Sequence, residues 1–101
     1  GLIDCHIHSL LGAEGNPGLV QDRLTPAQLA VRGMEFMRAT LEGGVTAVRE
    51  CGGKDYIEFA LRDAYNAGRF LGPTMRCAGR LICMTGGHGN RTGRVADGVD
   101  D

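Results

Sequence analysis

Short runs of apolar and β-branched residues alternate along this chain with longer runs of helical periodicity. Residues 1–8 alternate between two faces, Val45–Glu50 is bounded by glycines, and residues 74–78 follow a Gly-Pro break. Each of these patterns is typical of a β-strand. The resulting order β-α-β-α-β predicts an α/β fold with a parallel sheet and right-handed crossovers.

The first predicted helix has clear signals at both ends. Thr25 suits the N-cap, Pro26 suits the first helical position, and Gln28 completes a capping box. Apolar residues then recur at helical spacing until a pair of glycines at residues 43–44. The sequence therefore predicts a helix over Pro26–Glu42.

A second capping pattern and two glycine-rich stretches complete the predicted organisation. Asp55 with Glu58 three residues later predicts the start of a second helix, which Gly68 ends. Residues 12–18 and 79–93 are predicted to be loops. The later loop follows the carboxyl end of the third strand, where parallel α/β proteins bind their ligands.

The charge balance excludes several classes of partner. Lys and Arg total 11 against 12 Asp and Glu, which leaves a net charge of -1 and no basic field for nucleic acid or anionic lipid. No apolar run approaches the ~20 residues that span a bilayer, and the first residues lack the pattern of a signal peptide. We expect a soluble chain with no nucleic-acid and no membrane partner.

Four cysteines are present, and no two of them form a C-x-x-C pair. Their apolar surroundings favour buried thiols in a reducing compartment, such as the cytoplasm, over a disulfide framework. A minor alternative is a metal role for Cys5, which precedes a histidine, and for Cys83, which lies near the glycine loop.

The chemistry of the first strand lies on one of its faces. His6 and His8 are two residues apart, so their side chains point the same way from Cα atoms roughly 6.6 Å apart. Two imidazoles at this spacing can reach one zinc ion, whose bonds to nitrogen are about 2.0–2.1 Å long. Asp4 shares the face and is expected to orient a ligand imidazole by contact with the imidazole and not with the ion. The alternative is a surface pair of histidines on a half-exposed strand.

Residues 1–8, Gly-Leu-Ile-Asp-Cys-His-Ile-His, resemble the opening strand of the amidohydrolase superfamily, which reads G-[LF]-I-D-x-H-x-H. Three further segments resemble the branch of this superfamily that includes imidazolonepropionase-related and prolidase-like members. They are residues 44–50, 72–73 and 85–88. Glu50 stands where that branch commonly has Asp, and Thr74 stands where Arg is usual.

The resemblance implies a partial (β/α)8 barrel of the TIM type, with three parallel strands and two intervening helices. A whole barrel takes about 250 residues. Residues 1–101 are therefore expected to be the amino-terminal part of one barrel domain, incomplete at both ends. His6 and His8 would be the first ligands of one or two zinc or other divalent ions, and the catalytic base would lie outside this chain.

The implied activity is metal-dependent hydrolysis of carbon–nitrogen bonds, amide or peptide-like, by a metal-activated water. We expect a small-molecule substrate, a homo-oligomer for the full-length enzyme, and no activity for this chain alone. Two alternatives stay open: a deaminase or cyclic-amide hydrolase of the same superfamily, and a non-catalytic α/β module that binds a small ligand in its glycine loop.

Three further residues are candidates for the mouth of the barrel. His88 lies among glycines and is expected either to contact substrate above the histidine pair or to face solvent. Arg49 and Glu50, at the end of a predicted strand, either line the mouth or form a solvated ion pair. The glycine loops lack the G-x-x-x-x-G-K-[ST] pattern, which argues against nucleotide binding.

Overall fold

The computed structural model describes residues 1–101. Its elements in chain order are β1 (Leu2–Ile7), α1 (Pro17–Arg23), α2 (Pro26–Glu42), β2 (Val45–Glu50), α3 (Ile57–Asn66), β3 (Thr74–Cys77), β4 (Ile82–Cys83) and β5 (Arg94–Val95). Strands β1, β2 and β3 form a parallel sheet in that order. The predicted α/β class and the sequential strand order of a barrel arc are confirmed.

Helix α2 has the predicted bounds and the predicted cap. The backbone N–H of Gln28 donates to Thr25 Oγ1 at 3.2 Å, and the backbone N–H of Thr25 donates to Gln28 Oε1 at 2.9 Å. After the helix, Gly44 adopts a φ of 96°, which lets the chain turn directly into β2.

Helix α3 lies where a helix was predicted but starts differently. Asp55 and Tyr56 have φ values of 54° and 58°, and the helix begins at Ile57 with no side-chain cap. The side chain of Glu58 is buried and makes no hydrogen bond, so the predicted capping box is wrong. Two successive left-handed residues change the direction of the chain and bring Glu58 to the interior.

The structure contains small elements inside the stretches that were predicted to be loops. Helix α1 begins at Pro17, and Asn16 caps it by accepting the N–H of Leu19 at 3.1 Å. Two helices rather than one therefore connect β1 to β2. Strands β4 and β5 form a separate two-stranded parallel sheet beyond β3. None of the helices is long and apolar enough to cross a lipid bilayer.

The core lies between the three-stranded sheet and helices α2 and α3. Its buried side chains are Leu10, Met37, Val48, Leu61, Tyr65 and Met75. Gly33 allows the two helices to approach closely, because a Cβ at this position would lie 2.6 Å from Leu61 Cδ1.

Strand β1 is the edge of the sheet and is largely exposed. Ile3 and Ile7 share the face opposite His6. Ile3 is 70% exposed, whereas Ile7 packs against the core. All four cysteines are free, and Cys5 is exposed while the other three are half-buried. The prediction of buried thiols is therefore wrong for Cys5, because α2 and α3 cover β2 and β3 and leave most of β1 open.

Candidate functional site

His6 and His8 lie side by side at the carboxyl end of β1. Their ring centroids are 5.3 Å apart, and the ring planes meet at 70°. The structure thus places both imidazoles on one side of the strand, as the period of two predicts. This separation is compatible with two ring nitrogens that converge on a single ion, at bond lengths of about 2.0–2.1 Å.

The ring of His8 is held by a backbone carbonyl. Its Nδ1 lies 3.1 Å from the carbonyl oxygen of Gly52, which follows β2. Because a carbonyl can only accept a hydrogen bond, Nδ1 carries the proton in this contact. In the neutral ring the lone pair is then on Nε2, which is the form that a metal-binding histidine needs.

Asp4 acts on the backbone of the pair. Its Oδ1 accepts the N–H of His6 at 3.0 Å. The carboxylate therefore fixes the strand at the histidine position, and it makes no hydrogen bond with either imidazole in this structure.

Glu50 is a functional candidate whose environment the sequence did not indicate. It is neither a solvated partner of Arg49 nor part of the open mouth, because its side chain is 0% exposed. Arg49 instead donates from Nε to the carbonyl of Cys5 at 2.7 Å. Oε2 of Glu50 accepts the N–H of Gly52 at 3.0 Å, whereas Oε1 has no partner.

The pKa of Glu50 reflects this buried position. Burial raises the pKa of the carboxyl, while backbone hydrogen bonds from Gly52 and Ser9 and the charge of His8 oppose the rise. The group is therefore electrostatically coupled to the candidate metal ligand.

A second buried carboxyl group lies next to the first. Glu58 is 0% exposed, and neither of its oxygens has a hydrogen-bond partner. Burial raises its pKa, and the negative charge of Glu50 adds to the rise. The carboxyl fits against Gly53, where any Cβ would overlap it. The sequence signal was a glutamate on the inward face of a helix, and the capping interpretation hid it.

A cavity of about 280 Å³ opens beside His8, and only two of the residues that line it, Leu11 and Leu81, are hydrophobic. Helix α1 contributes Gln21 and Asp22 to its wall, and the loop after β4 contributes His88 and Arg91. The structure thus brings His88 to the same cavity as His8.

The cavity wall also carries a cluster of charges. The carboxylate of Asp22 pairs with Arg91 and lies 3.8 Å from Nζ of Lys54. Helix α1, which the sequence did not predict, supplies this carboxylate.

Residues 1–101 contain no group of three or more His, Cys, Asp or Glu side chains that is able to hold a metal ion. The alternative metal role of Cys5 and Cys83 therefore has no set of ligands here. His6 and His8 are the pair that this chain offers, and two imidazoles suit zinc.

Solved structures of hydrolases share the fold of this chain. A prolidase in complex with N-methylphosphonate-L-proline matches with a TM-score of 0.82 and 30% identity, over 99% of the chain. A Xaa-Pro dipeptidase with bound methionine in its active site matches with a TM-score of 0.76 and 30% identity, over 100% of the chain. Ochratoxinase from A. niger matches with a TM-score of 0.72 and 29% identity, over 88% of the chain. The chain spans 28%, 24% and 20% of the lengths of these three proteins.

No curated protein matches the sequence. The profile of the Amidohydrolase family matches residues 1–96, which is nearly the whole chain. The order of the strands and the similarity to solved amidohydrolase-type enzymes agree with this match. The chain therefore belongs to the amidohydrolase family.

Proposed function

We propose that residues 1–101 form the amino-terminal part of the barrel of a metal-dependent hydrolase that cleaves carbon–nitrogen bonds. His6 and His8 are its first two metal ligands. The observation that carries this proposal is the paired imidazoles at the end of β1, with His8 fixed through Nδ1 by Gly52. Members of the family are typically metal-dependent, which supports the same assignment.

The residues present fit a zinc ion or a similar divalent ion. Zinc in hydrolases lowers the pKa of a bound water and polarises the substrate carbonyl. In this chain, His6 and His8 would hold the ion, the Gly52 carbonyl orients His8, and Asp4 fixes the backbone of His6. The remaining ligands and the general base come from residues beyond 1–101, so this chain alone is inactive.

His88 serves the substrate rather than the ion in this proposal. It lines the cavity that His8 also lines, and its loop is rich in glycine, so the backbone can approach a ligand. An imidazole there is able to hydrogen-bond a carboxylate or carbonyl of a small substrate.

Peptide-like amides are the substrate class that the comparisons favour over deaminase substrates. The similar structures include a prolidase and a Xaa-Pro dipeptidase, whose names refer to peptide bonds. A non-catalytic ligand-binding module is the weaker alternative, because it leaves the pairing of His6 and His8 without a role.

The proposal is tested on the full-length enzyme with His6→Ala, His8→Ala and His88→Ala variants. Metal content is measured by elemental analysis, and hydrolysis is measured with a series of Xaa-Pro dipeptides. We expect the first two variants to lose most bound zinc and most activity, since each removes one of few ligands. We expect His88→Ala to keep its metal and to show a lower kcat/KM.

Metal content that is unchanged in both His6→Ala and His8→Ala would rule out the proposed site. Loss of metal in His88→Ala would show that this residue is a ligand and not a substrate contact.

A further inference from the structure

Two hydrogen bonds connect His8 to Glu50 through Gly52. His8 Nδ1 donates to the carbonyl of Gly52, and the N–H of Gly52 donates to Oε2 of Glu50. The two bonds form a linear connection between the side chain of His8 and the carboxylate of Glu50.

The carboxylate of Glu50 is the part of this connection that needs an explanation. A fully buried carboxyl group without a cationic partner is costly, and an apolar side chain of similar volume would pack here at lower cost. The Glu50 carboxylate holds Gly52 by accepting its N–H. Gly52 has a φ of 142°, a conformation that residues with a side chain rarely adopt. The Gly52 carbonyl is the group that orients His8.

We infer that Glu50 is a positioning residue for the metal-binding function of His8. By holding Gly52, it fixes the carbonyl that keeps the proton on Nδ1 of His8 and leaves Nε2 free for the ion. Glu50 acts through Gly52 and not by contact with the ion. The inference rests on the proposed role of His8 as a metal ligand.

The chain offers a matched control in Glu58. This residue is as deeply buried as Glu50, and the charge of Glu50 raises its pKa, but its carboxylate makes no hydrogen bond to Gly52 or His8. Glu58→Met therefore removes a buried carboxyl group and leaves both hydrogen bonds of Gly52 intact. Glu50→Met removes a buried carboxyl group together with the acceptor for Gly52. Glu50→Gln keeps one acceptor oxygen.

The experiment uses the full-length enzyme with ¹⁵N-labelled histidine. After the metal has been removed with a chelator, the imidazole nitrogen shifts at a fixed pH of about 7.5 report which nitrogen of His8 carries the proton. Zinc affinity is then measured by competition with a chromophoric chelator. His8→Ala identifies the His8 signal and defines the zinc affinity without this ligand.

We expect protonated Nδ1 at His8 in the unmodified enzyme and in Glu58→Met. In Glu50→Met, this preference is lost and zinc affinity falls by about 10–100-fold, the range found when partners of metal ligands are removed. We expect the zinc affinity of Glu50→Gln to lie between those of the unmodified enzyme and Glu50→Met, because its amide oxygen still accepts the N–H of Gly52.

The inference is overturned if Glu50→Met matches Glu58→Met in both the protonation of His8 and zinc affinity. If Glu50→Met does not fold, Glu50→Gln is compared with Glu58→Gln, and equal zinc affinities in that pair overturn the inference. Zinc affinity that is unchanged in His8→Ala would overturn the proposed function and this inference together. Affinity that depends on His8 but not on Glu50 overturns only the inference.

Discussion

Helices α2 and α3 pack against the same sheet but begin in opposite ways. In α2, the side chains and backbones of Thr25 and Gln28 satisfy each other's free groups at the start of the helix. In α3, two left-handed residues precede the helix and no side chain caps it. The residue of α3 that matches Gln28 by pattern is Glu58, and it lies in the interior.

The difference shows where the chain departs from local rules. A capping box at α3 would hold Glu58 at the surface, near the backbone of Asp55. The structure instead buries Glu58, and the charge of Glu50 raises its pKa. At this position the packing of α3 on the sheet therefore outweighs the local preference for a capping box.

The largest expected effect on stability comes from the packing of the uncapped helix α3 against α2. Leu61 is 4% exposed and faces α2 at Gly33, so Leu61→Ala leaves a cavity between the two helices. We expect the free energy of unfolding of the full-length enzyme to fall by about 2–5 kcal/mol, measured by urea denaturation. Leu61→Met keeps most of the volume and is the control, with a loss below about 1.5 kcal/mol. Equal losses in both variants would mean that α3 does not depend on this contact.

The two helix starts are compared directly by changing one residue at each. Thr25→Ala removes a side chain that accepts the N–H of Gln28, and we expect a loss of about 1 kcal/mol in the free energy of unfolding. Asp55→Gly removes no cap and relieves a left-handed φ, so we expect no loss. Both are measured by urea denaturation. A loss for Asp55→Gly as large as that for Thr25→Ala would restore Asp55 as a cap.

The sequence predicted the elements whose signals are local. The bounds of α2 and β2 and the alternation of faces around His6 follow from capping residues, glycines and periodicity, whereas the order of the three strands follows from the family resemblance. The pairing of His6 and His8 on one face follows from their spacing, because a strand places alternate residues on one face. Their prediction as metal ligands also required the resemblance of residues 1–8 to the family.

The remaining features depend on contacts between distant residues. Helix α1 has seven residues and begins inside a glycine-rich stretch, so its periodic signal is short. Strands β4 and β5 pair two residues each across a loop, which leaves no pattern in the sequence. The burial of Glu50 and Glu58 is decided by the packing of α3 on the sheet. A capping motif and a buried acid look the same in sequence.

The smallest expected effect concerns the ionisation of Glu58. Burial raises the pKa of this carboxyl above its usual value near 4.5, so the folded state favours the protonated form. The contribution of this proton to stability is full below the unfolded-state pKa. It is lost as the pH rises from about that value through the raised folded-state pKa. Glu58→Gln cannot ionise and therefore avoids this loss, although its amide is also buried and polar, which keeps the net gain small.

We therefore expect Glu58→Gln and the unmodified full-length enzyme to differ least in free energy of unfolding near pH 4.5, and the variant to gain in relative stability towards pH 7.5. Urea denaturation at several pH values in this interval measures the difference, and Glu42→Gln, on the exposed last turn of α2, is the control for loss of a surface carboxylate. A difference that is independent of pH would mean that Glu58 titrates alike in the folded and unfolded chains. The carboxyl group of Glu58 would then be solvated, and the turn at residues 55–56 would be the only difference between the starts of α3 and α2.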